Sequence, residues 1–388
     1  MIPIKYNVRS LAVRRTTTLA TALGIALVVF VLASALMLAA GVKKTLAVSG
    51  APDVAIVLRK GSDAELGSVI DAAEVNRILG APGVKRDAAG KPIGAGEIVV
   101  VAAMEKLGAN GLTNVQIRGV TDEAANLRPG MKIIDGRAAR PGSDEVIVGK
   151  RIRGRFKGVE LGDSFELRKN RPVKVVGVFE AGGSSYESEI WVDVDTLRAA
   201  YARQGAVSSV RVELESPAAF DGFKTAMEGE KAYGYQALRE GEYFEKLSEG
   251  TSIFINAMGG LIAFFFALGA MVGAMITMYA AVANRQREIG TLRALGFSRA
   301  SILVSFLAEA LILALFGGAL GTLASLGMSF VHFSMINFAS WSEIVFSFDP
   351  TPKIIVTSLV FAGGMGLAGG FFPALRASEV SPVVAMRG

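Results

Sequence analysis

Cysteine is absent from the 388-residue sequence. Disulfides, thiolate metal sites and cysteine nucleophiles are therefore excluded. The single histidine, His332, removes histidine-based zinc sites and leaves little scope for a histidine base. Charge is also scarce. Charged residues make up 20% of the chain, below the roughly 25% of a soluble globular protein. No phosphate-loop pattern occurs, because GAPGVKRD at 80–87 has the wrong spacing, and neither G-x-S-x-G nor H-E-x-x-H is found. These absences argue against an ordinary cytosolic enzyme, a disulfide-stapled secreted domain and ATP binding through a Walker A loop.

Apolar residues are plentiful, at 51%, with a mean hydropathy of +0.44. Spanning a bilayer as a helix takes about 20 apolar residues, and four stretches meet that length. Residues 18–40 and 253–283 are uncharged, 301–332 is interrupted only by Glu309, and 354–375 is uncharged. The first follows a basic segment, as a signal peptide would, but its apolar core exceeds the usual 7–15 residues and three more spans follow. It reads as a retained helix. The second is longer than the hydrocarbon requires, which predicts either tilt or a stalk that continues outward.

Charge distribution supplies the orientation. Residues 41–252 hold 30 Lys/Arg and 30 Asp/Glu, so the remaining eleven basic and five acidic residues carry the whole net charge of +6. Lys5, Arg9, Arg14 and Arg15 precede the first span, Arg285, Arg287, Arg293 and Arg299 lie between the second and third, and Arg376 and Arg387 follow the fourth. The link between the third and fourth carries Glu343, Asp349 and Lys353. The positive-inside rule then places both termini in the cytoplasm. A nucleic-acid partner is not expected, because the basic excess flanks the spans instead of marking the folded domain.

The predicted fold class is an α-helical membrane protein with four transmembrane helices and one large α+β extracytoplasmic domain, or a pair of subdomains, inserted between helices 1 and 2. Its parts are a cytoplasmic N-terminal segment (1–17), transmembrane helix 1 (18–40), the extracytoplasmic domain (41–252), transmembrane helix 2 with a stalk (253–283), a cytoplasmic link (284–300), transmembrane helix 3 (301–332), a short external loop (333–353), transmembrane helix 4 (354–375) and a cytoplasmic tail (376–388). Strands are expected at 53–59, 97–104, 114–120, 145–149, 164–168, 173–179, 189–193 and 209–215, where Val and Ile runs are bounded by turn residues. Helices are expected at 63–80, 195–204 and 217–229, the second capped by Asp195. Without regular βαβ alternation, a doubly wound sheet is not expected.

The chain contains few candidates for chemistry. GGSSYESE at 182–189 reads as a flexible hairpin, and KRIRGRFK at 150–157 as a solvated helix end and turn. His332 reads as an interfacial residue at the outer end of the third span. No catalytic residue and no metal site is predicted. The link NRQREIGTLRALGFSRA (284–300) is more informative. Gly290 can break the second helix, TLRAL (291–295) is long enough for one or two helical turns, Gly296 suits a left-handed closing position, and Ser298 can cap the third span. This describes a short stiff helix held between two membrane helices. Glu309, an ionisable residue in a span, is costly unless paired or hydrated. It either reaches the cytosolic interface or pairs with an arginine such as Arg285 or Arg293 as a buried coupling residue. Gly269 with Gly273, Gly317 with Gly321, and Gly366 with Gly370 allow close helix approach, within the chain or across a dimer.

At the link the sequence resembles the FtsX/MacB-type permeases of ABC transporters, whose link reads approximately R-x-x-E-I-G-x-x-[RK]-A-[LIV]-G-x-[ST]. Arg285, Glu288, Ile289, Gly290, Arg293, Ala294, Leu295, Gly296 and Ser298 fill those positions. The resemblance extends to FLAEALILALFGGALG (306–321), to the ending FFPALRASEVSPVVAMR (371–387), with Met386 where leucine is usual, and to the stretch beginning GKRIRGRFKGVELGDSFEL. It implies a permease subunit of the mechanotransmission type in a bacterial inner membrane, with a second permease copy or a paralogue completing a dimer and the first two spans at its centre. It also implies a separate cytosolic ABC ATPase dimer docked at 285–296. ATP and Mg would be used by that partner, and this chain would bind no cofactor and be no enzyme by itself. The cargo implied is hydrophobic or amphipathic (a lipoprotein, lipid, peptide or drug), with a periplasmic adaptor or outer-membrane partner. The alternative is an FtsX-like regulator that activates an external cell-wall hydrolase without transporting anything. An enzymatic external domain would need an acid/base constellation that the sequence lacks.

Overall fold

The computed structural model describes residues 13–108, 111–128, 130–229 and 233–381. Lys5, Arg9, Arg387 and the last part of the motif at 371–387 lie outside them. The described residues fall into two compact units. One draws on Met1–Ala40, Ile253–Val331 and Phe348–Gly388, the other on Gly41–Ser252 and His332–Ser347.

The first unit is helical. Among the described residues, four helices are long and apolar enough to cross a membrane. The first, α1, runs over Arg15–Ala47. The second unit then supplies β1 (Val54–Arg59), β2 (Ile70–Asp71), α2 (Ala72–Leu79), β3 (Gly94–Glu105), β4 (Leu112–Val120), β5 (Met131–Gly136), β6 (Glu145–Gly149), β7 (Ser164–Arg168), β8 (Arg171–Ala181) and β9 (Glu189–Asp193). It continues with α3 (Val194–Ala200), β10 (Ala206–Val207), β11 (Ser209–Glu213), α4 (Phe220–Glu228) and β12 (Tyr235–Arg239). The membrane helices resume as α5 (Glu240–Asn284), followed by α6 (Gln286–Ala294) and α7 (Arg299–Leu326). A hairpin of β13 (His332–Ile336) and β14 (Glu343–Ser347) precedes α8 (Pro352–Ser378).

Helix packing in the first unit depends on removed side chains. A methyl group added at Gly317 or Gly321 of α7 would lie 2.6 or 2.3 Å from the carbonyl oxygens of Ala22 and Ala26 on α1. One added at Gly366 or Gly370 of α8 would lie 2.3 or 2.5 Å from the Cβ atoms of Ala314 and Ala310. These glycines are where backbones approach most closely, as small-residue interfaces require. Gly269 and Gly273 differ: a Cβ at either meets nothing within 4 Å. Among the described residues, neither marks a close helix approach.

The second unit has a ten-stranded mixed sheet in the order β12-β1-β11-β3-β4-β9-β6-β8-β5, with β7 on β8. Its first four strands are antiparallel neighbours. With β1-α2-β3 and β11-α4-β12 as the two halves, this is the split βαβ arrangement. Strands β4 to β10 form an insertion between β3 and β11. Strand β3 serves both parts: Gly94–Glu97 pair with β11, and Ile98–Glu105 pair with β4. Buried Val and Ile on these strands, with Phe220 and Phe223 of α4, form the core. Asp71 caps α2 by accepting from the Ala73 N–H.

Several elements differ from the sequence expectation. The helix expected at 63–80 is confined to α2, preceded by a 3-10 turn at Glu65–Gly67 and by β2. Asp193 caps α3, not Asp195, accepting from the N–H groups of Asp195 and Thr196. The segment 182–189 is no flexible hairpin. It closes in a buried 3-10 turn at Ser185–Ser188, where Glu187 accepts from the N–H groups of Ala181 and Gly183 at 2.9 and 2.8 Å. The short external loop expected at 333–353 contains the β13–β14 hairpin, and it packs with the second unit. Arg151 donates to the Val345 carbonyl at 2.6 Å, Lys106 pairs with Glu343 at 2.9 Å, and Arg155 also bonds Glu343. His332 sits exposed in β13, 3.1 Å from the Ser347 hydroxyl, instead of ending a span. Helix α5 is continuous from Glu240, so the second span and its stalk are one helix of 45 residues.

Candidate functional site

The link is built from two helix ends and a turn. Helix α5 stops at Arg285, whose φ of −113° and ψ of 13° leave helical geometry. The break comes five residues before Gly290, which lies buried inside α6. Ile289 is buried in a cluster with Met278, Val282, Ile302, Phe306, Ala310, Ala374 and Ala377. That side chain anchors α6 to the helical unit. Glu288, Thr291, Ala294 and Leu295 remain on the exposed side, Leu295 with 73% of its surface accessible. Gly296, at φ +95°, closes the turn in the left-handed region that favours glycine. Arg293 donates to the Phe297 carbonyl at 3.1 Å, which pins the same turn. The Ser298 hydroxyl accepts from the Ser301 N–H and starts α7.

One buried carboxylate ties this link to the bundle. Glu309 of α7 is 6% exposed. It accepts from Arg14 at 2.8 Å through Oε1 and from Arg285 at 3.0 Å through Oε2. Arg285 also donates through Nε to Glu288 at 2.9 Å, and its guanidinium lies 5.3 Å from the Phe306 ring. The chain of charges Arg14–Glu309–Arg285–Glu288 therefore joins the start of α1, the interior of α7, the α5–α6 break and the exposed link. Arg293 does not reach Glu309, because it is occupied at the turn. A cavity of about 30 Å³ beside Glu309 is lined by Arg14, Thr17, Thr277 and Leu313, enough for one water. Two basic partners resolve the cost of burying the carboxylate. Sequence reasoning offered Arg285 but missed Arg14, which is 295 positions away. No sequence spacing reports such a contact.

The second unit holds a larger buried charge cluster that the sequence reading missed. Glu65, Glu97, Glu189 and Glu240 face Arg118, Arg128 and Arg211, all buried. Arg118 donates to Glu189 at 2.7 and 2.8 Å, to Glu65 at 2.9 Å and to Glu97 at 2.9 Å. Arg211 donates to Glu65 at 2.7 Å, Glu97 at 2.6 Å and Glu240 at 2.8 Å. Arg128 donates to Glu97 at 2.9 Å. Burial by itself would raise the Glu97 carboxyl, but the charges of Arg128, Arg211 and Arg118 outweigh it and bring it down to about 2. Glu65 is held well below its ordinary value in the same way: Arg118 and Arg211 overcome its burial.

Glu240 ties this cluster to α5. It is the first residue of α5, and it accepts from the Tyr186 hydroxyl at 3.0 Å and from the Ala51 N–H at 2.9 Å. A methyl group at Gly50 would lie 2.7 Å from the Gly241 backbone. The segment leaving α1 and the first turn of α5 are thus clasped together on the sheet by one carboxylate. The signal available in sequence was a charged residue at the centre of an apolar strand, as Arg118 is in NVQIRGV and Arg211 in SVRVELE.

Among the described residues, no group of His, Asp and Glu has the makings of a metal site.

Comparison with known proteins places these features in context. Residues 16–230 match the MacB-like periplasmic core domain, and residues 260–382 match the FtsX-like permease C-terminal region. The chain is 30% identical over 296 residues to the macrolide export ATP-binding/permease protein MacB of Burkholderia thailandensis, covering 70% of this chain and 43% of that one. It therefore spans less than half the length of that relative. It is 24% identical over 299 residues to the uncharacterized ABC transporter permease YknZ of Bacillus subtilis, covering 71% of this chain and 70% of the relative. Among solved structures, the extracellular domain of YknZ from Gram-positive bacteria aligns with 48% of this chain and 99% of its own at 20% identity, with a TM-score of 0.36. The periplasmic region of MacB from Actinobacillus actinomycetemcomitans aligns with 48% of this chain and 89% of its own at 12% identity, with a TM-score of 0.36.

Proposed function

The chain belongs to the MacB/FtsX-type family of ABC transporter permeases, and from that premise we propose that it is a mechanotransmission permease subunit driven by a separate cytosolic ATPase. ATP and Mg are used by that ATPase, and the motion of its closure enters this chain at Arg285–Gly296. The large α+β domain lies outside the inner membrane, with both termini in the cytoplasm, as the basic flanks of the spans indicate. Its movement exports or extracts a hydrophobic or amphipathic cargo.

The observation that carries this reading is the path Arg14–Glu309–Arg285–Glu288. A link that only reversed the chain direction would need no buried carboxylate. Here the exposed α6 is tied through Arg285 to α7 and, through Arg14, to the start of α1. Displacement of α6 therefore loads two membrane helices at once. Leu295 supports the same assignment, as an exposed apolar side chain suited to a groove on a docked partner. The open faces of Gly269 and Gly273 on α5 are suited to a second permease copy or a paralogue.

The test is co-purification of the tagged full chain from its host membrane in mild detergent, followed by ATPase measurement. An ABC ATPase should accompany the chain, and its retention should depend on Glu288 and Leu295. Absence of any ATPase from a preparation that preserves other membrane complexes would overturn the proposal. An accompanying cell-wall hydrolase, with no cargo movement in vesicles, would replace export by signalling.

A further inference from the structure

The loop joining β13 to β14 is built to hold a tryptophan outward. Asn337 is fully buried. Its Nδ2 donates to the Leu247 carbonyl at 3.0 Å and to the Thr251 hydroxyl at 3.3 Å, both on α5. Its Oδ1 accepts from the N–H groups of Ala339 and Ser340 at 3.0 and 3.1 Å. The backbone closes behind it: Trp341 N–H donates to the Asn337 carbonyl at 2.9 Å, and Asn337 N–H to the Ser342 carbonyl at 3.0 Å. Asn114 on β4 donates to the Trp341 carbonyl at 3.0 Å. Within this frame Trp341 adopts φ +53°, a region uncommon for a bulky side chain. It nevertheless keeps 61% of its surface exposed, and Phe338 in the same loop keeps 48%. A strained loop, held in place by these hydrogen bonds, that presents an indole to the outside calls for an occupant of that outside.

The position along α5 identifies the occupant. Thr251 precedes by two residues Ile253, where the uncharged run 253–283 begins. At about 1.5 Å per residue, the Asn337 clasp grips the helix within about one turn of the start of its apolar stretch. The loop is also tethered at both ends to membrane helices, following α7 and preceding α8. Indole rings favour the boundary between hydrocarbon and water, with the apolar body on one side and the N–H on the other. We infer that residues 337–342 form an interfacial anchor whose ligand is the headgroup and ester region of the outer lipid leaflet. Trp341 is the inserted side chain, and Asn337 fixes its depth by holding the loop to α5. A protein partner at the same loop would place the indole away from lipid, and the experiment separates the two.

The sequence contains two tryptophans, and Trp191 is buried at 2% exposure. Fluorescence of the full chain in lipid nanodiscs therefore separates them. Phosphatidylcholine brominated near the ester end of its acyl chains should quench part of the emission, and lipid brominated near the chain end should quench less. That quenchable part should disappear in Trp341→Phe, an exposed substitution. In Asn337→Ala, with Trp341 still present, quenching should fall. Equal quenching in wild type and Trp341→Phe would overturn the anchor. So would a Trp341 component that soluble acrylamide quenches and brominated lipid does not, an outcome that would assign the loop to a protein partner. Undiminished quenching in Asn337→Ala would overturn the depth-setting role of Asn337.

Discussion

Arg211, on strand β11, donates through Nε to Glu240, the first residue of α5, at 2.8 Å with both side chains buried. This one bond connects the sheet interior to the helix that carries the longest apolar run of the chain. Removing one member of such a pair leaves the other charge buried and uncompensated. That loss is larger than the net contribution of the intact pair.

Arg211→Ala should therefore be among the most destabilising single changes in the large domain, by about 3–5 kcal/mol. Thermal unfolding of the full chain in mild detergent, followed by near-ultraviolet circular dichroism, checks it. Glu240→Gln keeps the shape but offers one acceptor oxygen where the carboxylate offers two to Arg211, Tyr186 and Ala51, and since Arg211 retains Glu65 and Glu97 it should cost less. Equal stability of Arg211→Ala and wild type would mean that the cluster is more hydrated than its burial indicates.

Acid should loosen the same cluster. The Glu97 carboxyl is lowered from an ordinary 4.5 to about 2 in the folded chain. The stabilisation linked to it is fully present above about pH 4.5 and is lost as pH falls through about 2. Glu65 acts in the same direction. Emission from Trp191, whose indole donates to Glu189 in this cluster at 2.9 Å, reports the transition in the Trp341→Phe background. A flat signal from pH 5 to 2 would contradict it.

Glu309→Gln should uncouple more than it unfolds. Arg14 and Arg285 bond different carboxylate oxygens, so the amide, with a single acceptor oxygen, keeps one of the two bonds at most, and the charge that holds two guanidiniums together is gone. Insertion should stay normal while stimulation of the partner ATPase by the permease falls, by tenfold or more if about 1.4 kcal/mol of the coupling passes through this carboxylate. Wild-type stimulation would limit Glu309 to neutralising Arg14 and Arg285.

The glycines should divide into two groups. Gly321→Ala places a methyl 2.3 Å from the Ala26 carbonyl oxygen and should destabilise the helical unit by about 1–3 kcal/mol. Gly269→Ala meets nothing within 4 Å, so the monomer should unfold normally. Any effect should appear in association, measured by cross-linking at the α5 face. Identical behaviour of both variants would contradict the assignment.

Much of the architecture was legible in the sequence, because membrane spans and apolar strands announce themselves by run length and Val/Ile content. The four spans follow from long apolar stretches, and β6, β7 and β9 fall on the expected segments. Strand β5 was not legible: MKIIDG lies at the edge of the sheet, with Ile133 and Ile134 exposed. The β13–β14 hairpin was masked by its place between two spans. Its pairing to the large domain depends on Arg151 and Arg155, which local reading assigned to solvent. For the link, the motif located α6 but misplaced its start. The helix breaks at Arg285, whose guanidinium bonds Glu309 on another helix, a tertiary contact that local reading cannot supply. The buried charge cluster was unreadable for a related reason: a tally of equal acids and bases cannot distinguish surface charges from paired interior ones.

The sheet order has a consequence for biosynthesis. Strand β1 emerges directly after α1, yet its neighbours, β11 and β12, are translated about 150 and about 175 residues later. The first strand of the domain must therefore wait, unpaired, while the whole insertion is made. Strand β12 ends at Arg239 and α5 begins at Glu240. The strand that covers the far edge of β1 is thus delivered immediately before the second long apolar helix is made. Closing the sheet and forming that helix become consecutive events on one nascent chain. A slow step in either exposes the other: an unpaired β1 invites misassociation, and a premature α5 carries Glu240 away before Arg211 can meet it.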